Sequence, residues 1–411
     1  MTNRAQAQHC DVAVVGSGVV GLAAAAGLAL AGHRVTLVRR EPAPPARGSD
    51  PAWDERVYAV SPASRALLEA LGAWQRLDHS RVAPVYDMRV YSASELHFGA
   101  YETGIEALAS IIEQDNIAQA LEEVVRDAGS VTQLVAEVTS VDLVTDFCSA
   151  ALGLGSGVRL QARLVVAADG ADSPLRTMAG IGFEEQVYPQ RALVAHLATE
   201  HSHRDCAYQW FGDHGILALL PLPPAGSGAG LGRCSVVWSA PTALAEELAR
   251  ATPEEFARRV QAACGAALGT MTPLGPVLGF PLRRRIAATL LGPRLALVGD
   301  AGHLVHPLAG QGLNLGLGDI TDLVAALKRA GAPDGDDPGR RLRLLRYQRA
   351  RALPIAAMGT TTGALQQLFD PATPDALGSL SGAFIATREL GWRVLEHAPV
   401  LKRMLIARAI G

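Results

Sequence analysis

The chain has 411 residues, 49% of them hydrophobic and 19% charged, with 42 glycines, so it can bury a large core and build roughly two or three domains. A net charge of −3 supplies no global basic field, which sets aside nucleic acid as a partner and leaves anionic lipid only to local patches. The five cysteines (Cys10, Cys148, Cys206, Cys234, Cys264) are far apart, without a CxxC pair or histidines at ligand spacing, and read as reduced core residues of a cytoplasmic protein with no metal site.

In chain order, a short polar lead runs directly into "DVAVVGSGVVGLAAAAGLALAGHRVTLVRR", with no apolar stretch and cleavage site of the signal-peptide kind. The β-branched runs 12–15 and 35–38 flank an alanine-rich helix that ends at Gly32, which is one βαβ unit. That helix is too short for the ~20 residues needed to cross a bilayer. Between its first strand and helix, Gly16, Gly18 and Gly21 form GxGxxG around Ser17 and Val20. Gly16 permits the tight turn, Gly18 lets a pyrophosphate approach the backbone, and Gly21 lets the helix pack closely, while the helix N-terminus offers its unpaired N–H groups. The second strand closes on Arg39 and Arg40, where such a unit usually places an acid for a ribose. Taken alone, an arginine there fits the 2′-phosphate of NADP.

A proline- and glycine-rich excursion follows, then Arg56 and a helix with Ser61 as N-cap. Alternating segments at 86–100 and 186–290 read as antiparallel strands, with a helix near 116–128 between them. The strand "ARLVVAADG" delivers Asp169 and Gly170, with Ser173 and Arg176 behind them. A third strand delivers Gly299 and Asp300, followed by a loop with His303, His306 and Pro307 and the run Gly310, Gln311, Gly312, Leu313, Asn314 that opens a long helix. A polar linker at 331–339 precedes a helical remainder. The fold class is therefore α/β: a discontinuous Rossmann-like domain (1–85, 101–185 and 286–330), a mixed or antiparallel sheet domain (86–100 and 186–285) and C-terminal helices (340–411).

An acid at a strand end accepts hydrogen bonds from polyol hydroxyls, and a glycine-rich helix start offers N–H groups to a ring carbonyl and stabilises negative charge there. That pairing suits FAD. The trio of GxGxxG, "DGADSPLR" and "GDAGHLVHPLAGQGLN" resembles the group A flavoprotein aromatic hydroxylases, of the para-hydroxybenzoate hydroxylase fold. "HPLAGQGLNLGLGD" in particular looks like the signature of the ubiquinone-biosynthesis hydroxylases, and the likeness spans roughly residues 10–370.

The resemblance implies FAD, with NAD(P)H as electron donor and no separate nicotinamide-binding unit. The reaction it implies is hydroxylation of a polyprenylated phenol by O2 through a flavin C4a-hydroperoxide. By position, Asp300 meets the ribityl chain, Gly310 to Asn314 the ring edge, Asp169 and Gly170 both FAD and passing NAD(P)H, and Arg56 lies near the cofactor. Pro307 and Gln311 are the flavin-edge catalytic positions. His303 and His306 flank the same loop, where structural hydrogen bonding is the more ordinary role. Trp210, Phe211, Leu217, Leu219, Leu220 and Pro221 are candidates for a greasy substrate pocket, with core packing the alternative for each. In the basic, apolar C-terminal segment, Trp392, Arg393, Leu395 and Lys402 suggest either peripheral contact with the inner membrane or packing on the protein itself. A homodimer and a place in a quinone-synthesis complex also follow from the resemblance.

Two charges depart from the family pattern: Asp115 stands where a basic residue is common, and Arg39 where the ribose acid is usual. They would offset one another if in contact. Since the FAD adenosine ribose carries no 2′-phosphate, either Glu41 takes the ribose or Arg39 covers the adenosine with its planar guanidinium. Arg39 beside the adenosine is the expectation. Competing readings are a hydroxylase of a small aromatic metabolite and a flavin-free subunit of a quinone-synthesis assembly.

Overall fold

A computed structural model describes residues 8–43, 53–92, 94–143, 148–224, 232–305, 311–328 and 337–369, with side chains of the last segment through 359. His306, Pro307, Gly310 and the C-terminal segment with Trp392, Arg393, Leu395 and Lys402 lie outside the described residues.

The first sheet grows from the opening βαβ unit. Strand β1 (Gln8–Val15) pairs in parallel with β2 (Val35–Arg39) on one side and with Arg159–Ala167 on the other, which puts Val15 beside both Val38 and Ala167. Leu295–Leu297 adds in parallel beyond Arg159–Ala167, and Val131–Val135 beyond β2. All five residues of β2 are buried, as expected of a parallel strand covered on both faces. Helix α1 (Val19–Leu30) is apolar nearly all round because it is enclosed by the sheet and by the helices Gln114–Asp127 and Gln311–Leu327. Its short side chains permit that approach: a Cβ on Gly27 would come within 2.9 Å of Val324.

The second sheet is built on Phe183–Thr199, a 17-residue strand paired antiparallel with Gly232–Pro241 and with Leu278–Ala287. Asp87–Tyr91 joins it in parallel with Cys206–Gly212, so the hairpin near 86–100 belongs to this sheet although it is remote in sequence. Helices Thr242–Arg250 and Pro253–Ala263 cover one face, where Leu193, Leu197, Trp238, Phe256 and Val260 form a core. A third sheet of Val57–Val60, Ala109–Glu113 and Val82–Val85 was not read from the sequence. Its strands have only four or five residues, too few for alternation to stand out.

Two features place the site. The chain leaves the first sheet at Leu297 and at His303–Leu304 already pairs with the edge of the second, Leu304 opposite Arg285. The Gly299–Asp300 turn therefore sits at the junction of the two sheets. Moreover, Val15, Val38 and Ala167 lie side by side, so the loops after all three strands open at one edge, where ligands bind in parallel sheets.

Candidate functional site

The three glycines of the first turn have different surroundings. Gly16 has φ +112°, and a Cβ there would lie 2.2 Å from the Ala168 carbonyl oxygen. A Cβ on Gly21 would lie 2.0 Å from the carbonyl oxygen of Gly16. Both glycines are required by the protein's own packing. Gly18 is not: its backbone is extended (φ −71°, ψ 175°), and a Cβ would meet nothing within 4 Å. Gly18 also caps α1 with no side-chain hydrogen bond and no acid in the first turn, so the helix presents bare N–H groups. In front of them lies a cleft of about 360 Å³ lined by Gly16, Gly18, Arg40, Glu41, Asp169 and Gly170 among others. A negatively charged pyrophosphate fits this opening in shape and charge.

Arg39 points elsewhere, which corrects the expectation that it lies beside the adenosine. Its guanidinium, 4% exposed, pairs with Glu122 at 2.7 Å, donates to Gln133 Oε1 at 3.0 Å and donates to the Glu41 carbonyl oxygen at 2.7 Å. A buried guanidinium must have acceptors for its N–H groups, and these residues provide them. The charge that meets Arg39 is thus Glu122, further along the helix that carries Asp115. Arg40 and Glu41, both exposed, are the ones that face the cleft.

Asp169 accepts a hydrogen bond from Leu175 N–H through Oδ2 at 3.0 Å. Its Oδ1 is buried with no partner among the described residues, an acceptor available to a ligand hydroxyl or amide. Behind it Ser173 caps a short helix by accepting from Arg176 N–H. The buried Arg176 guanidinium donates to the carbonyl oxygens of Ala171 and Ala301, tying this turn to the one that holds Asp300.

At the sheet junction, Gly299 adopts φ +58° and Asp300 follows it. Asp300 is exposed, but desolvation by the surrounding protein holds its carboxyl above the ordinary carboxylate range; His303 opposes that shift and Asp319 adds to it. Tyr58 stands nearby: burial, with Asp300 adding, pushes its phenol up to about 12, and its hydroxyl donates to Gln114 Oε1 at 3.0 Å. Arg56, 56% exposed at its side chain, is held through its backbone, its N–H donating to Asp54 and its carbonyl oxygen accepting from Gln114 N–H. Asp54 also accepts from Asp115 N–H.

The helix Gln311–Leu327 starts with Gln311 and Gly312, and among the described residues a Cβ on Gly312 would meet nothing within 4 Å. Leu313 is buried in the core. The Asn314 side chain is used by the protein itself, accepting from Ser61 N–H at 3.0 Å and donating to the Ala59 carbonyl oxygen at 2.8 Å. Of the residues read as pocket candidates, Leu217 and Leu219 pack in the core beneath the two helices, and Leu220 packs against the third sheet. The opposite face of Phe183–Thr199 meets Leu282 and the backbone at Asp54. On it Tyr188 and Ala192 cluster with Leu282, Gln190 Oε1 is buried without a partner among the described residues, and His196 Nε2 lies 2.9 Å from the Asp54 carbonyl oxygen. Tyr58, Gln114, Gln190 and the buried pair Asp319 and Arg351 were not found from the sequence. Asp319 closes the string "HPLAGQGLNLGLGD" without its function being visible there, the others stand outside the glycine and acid motifs, and only strand register or the folded contact brings them to the site.

Residues 9–358 match the family described as FAD binding domain. The chain is 34% identical over 412 residues to the ubiquinone hydroxylase UbiL of Rhodospirillum rubrum, covering 98% of this chain and 89% of that protein. It is 34% identical over 419 residues to the 3-demethoxyubiquinol 3-hydroxylase of Escherichia coli, covering 100% of each. Among solved structures, Pseudomonas aeruginosa PqsL in complex with 2-aminobenzoylacetate superposes with a TM-score of 0.72 at 24% identity, over 88% of this chain and 97% of that one. The p-nitrophenol 4-monooxygenase PnpA of Pseudomonas putida gives 0.71 at 20% identity, over 98% and 99%. At such identities the solved structures speak to the fold alone.

Proposed function

The chain belongs to the FAD-binding-domain family of flavin-dependent aromatic hydroxylases, and from that premise we propose that its substrate is a polyprenylated phenol on the route to ubiquinone. In the overall reaction NAD(P)H, a proton, O2 and the phenol give NAD(P)+, water and a ring carrying one more hydroxyl. The observation that carries the cofactor site is Gly18, a glycine that the protein's own packing does not need and that leaves the start of α1 bare. The substrate class rests on full-length similarity to quinone hydroxylases.

Bound FAD supplies the redox chemistry, taking up reducing equivalents from the nicotinamide and passing them to O2. The protein's part is binding, orientation and electrostatics. The N–H groups at the start of α1 hold the pyrophosphate, and Glu41 accepts from the adenosine ribose beside Arg40. Asp169 offers its free Oδ1 to the same ligand. Asp300 accepts from the polyol hydroxyls, and the N–H groups at Gln311 and Gly312 stabilise negative charge on the ring. Arg56 supplies a positive charge close to the cofactor. Gln190, whose side-chain oxygen is buried without a partner among the described residues, is the acceptor we propose for the phenol hydroxyl, a hydrogen bond that makes the ring more electron-rich. On this reading residues 1–85, 101–185 and 286–330 bind FAD and residues 86–100 with 186–285 bind the substrate. Contact with the inner membrane or a quinone-synthesis complex, and a homodimer, complete the proposal.

The test is quinone analysis in a strain lacking the protein, with purified protein alongside. The strain should accumulate a prenylated intermediate one oxygen short of the next, and the protein should be yellow and oxidise NAD(P)H in response to that intermediate. An unchanged quinone profile would overturn the pathway assignment, and a colourless protein that takes up no added FAD would favour the flavin-free subunit.

A further inference from the structure

Asp319 lies on the helix Gln311–Leu327, with no exposed surface, and is held by three residues from two parts of the chain. One oxygen, Oδ2, accepts from Gly299 N–H at 2.7 Å and lies 2.6 Å from His303 Nε2. The other, Oδ1, accepts from Arg351 Nε at 2.7 Å. Arg351, 5% exposed, comes from the helix Arg341–Phe369 and also donates to Asp322 at 3.1 Å and to the Leu315 carbonyl oxygen at 2.9 Å. Earlier on that helix, Tyr347 donates to the Leu297 carbonyl oxygen at 2.7 Å.

Stability alone gives little reason for this arrangement. Burying an ion pair costs much of what the pair returns, and well-packed apolar residues of similar size often serve a fold as well. What the pair achieves is geometric. A single carboxylate oxygen grips the residue before Asp300 and the histidine three positions after it, and so fixes both ends of the turn from behind. Gly299, at φ +58°, has its N–H inside the protein, where an unmet donor would cost the turn its conformation. Asp300 itself has no hydrogen-bond partner among the described residues, so its direction is set by the backbone on either side.

We propose that Asp319 is a positioning residue for the flavin site, aiming Asp300 at the cofactor polyol through Gly299 and His303, and that Arg351 anchors this hold to the C-terminal helix. The proposal rests on FAD binding at Asp300. The seating of the helix Arg341–Phe369, which touches the cofactor nowhere in this scheme, then governs cofactor affinity.

The test uses the full chain stripped of FAD and titrated with FAD, following affinity, the visible circular dichroism of bound flavin at saturation, and the melting of the apoprotein. Asp319→Asn should weaken FAD binding roughly tenfold or more, as loss of a charge-assisted hold does, and should alter the flavin dichroism. Arg351→Met should shift both in the same direction, and Arg351→Lys should restore most of the dichroism because an ammonium still pairs with the carboxylate. Leu323→Ala, a cavity in the same helix, should lower the apoprotein melting temperature while leaving the flavin dichroism as in the wild type. If Asp319→Asn does not fold, Asp319→Asn/Arg351→Gln removes both charges together and is measured instead. A folded Asp319 variant with wild-type affinity and dichroism overturns the proposal, as does Leu323→Ala changing the dichroism equally. A wild-type protein that takes up no FAD overturns the cofactor reading itself, which is a separate outcome.

Discussion

Arg39 ends β2 with its guanidinium enclosed against Glu122, an ion pair 4% exposed on each side. Removing one partner leaves the other charge buried, so Arg39→Met should cost about 3–5 kcal/mol, measured by urea unfolding of the apoprotein. Arg39→Met/Glu122→Leu should recover most of that loss, and FAD affinity should follow the fold and not the arginine. A second side-chain prediction concerns Asp300, an exposed residue whose carboxyl is nevertheless crowded by protein on enough sides to be held above the ordinary range. Folding takes up a proton between the ordinary pKa and the raised one, so the apoprotein loses stability as pH rises through that window and carries the full penalty above it. Asp300→Asn should therefore make the apoprotein at most slightly more stable than wild type at neutral pH, since solvent screens an exposed carboxyl, converge with it in acid, and bind FAD more weakly. Thermal melts across pH check the first two statements, and FAD titration the third. Asp300 was legible in the sequence because a strand end followed by a glycine-rich helix start marks its place. The partner of Arg39 was not, because Glu122 is 83 residues away and only folding brings it near.

At the scale of an element, the first turn separates what the chain needs from what a ligand needs. Gly16→Ala and Gly21→Ala drive a Cβ into backbone oxygens at 2.2 Å and 2.0 Å, and each should cost the fold more than about 3 kcal/mol. Gly18→Ala should change apoprotein stability by less than about 1 kcal/mol, since its backbone is extended and its surroundings are open. It should nevertheless weaken FAD binding clearly. Equal FAD affinity in a folded Gly18→Ala protein would count against pyrophosphate at this turn. Strand, turn and helix were readable here because local backbone geometry already asks for glycine, through the positive φ of Gly16 and the approach of Gly21 to the Gly16 carbonyl oxygen; the packing of Gly16 on Ala168 was not readable. The start of the helix Gln311–Leu327 was readable for a related reason, through its run of glycines. The function of Asn314 was less so: a side chain that bonds to Ala59 and Ser61 looks, in sequence, like one that bonds to a ligand.

Across the whole molecule, alternation and glycine-proline punctuation marked which segments are strands, but not that the short strands Val57–Val60, Val82–Val85 and Ala109–Glu113 form a sheet of their own. The site lies between sheets, so a ligand that bridges them should stabilise the protein as a unit. FAD at a hundred times its dissociation constant should add about 2.7 kcal/mol, seen as a melting temperature that climbs with FAD concentration. A melting temperature indifferent to FAD would contradict tight, native-state binding. The interleaving of the chain also has a consequence for biosynthesis. The strand beside β1 is Arg159–Ala167, and the one beyond it is Leu295–Leu297, so the first sheet is incomplete until most of the polypeptide has been made. At roughly 5–20 residues per second, β1 and β2 wait on the order of tens of seconds at the ribosome for their last parallel neighbour. During that interval a nascent chain carries a finished glycine turn without its acid, and truncated products ending before Asp300 should emerge colourless and in need of chaperones.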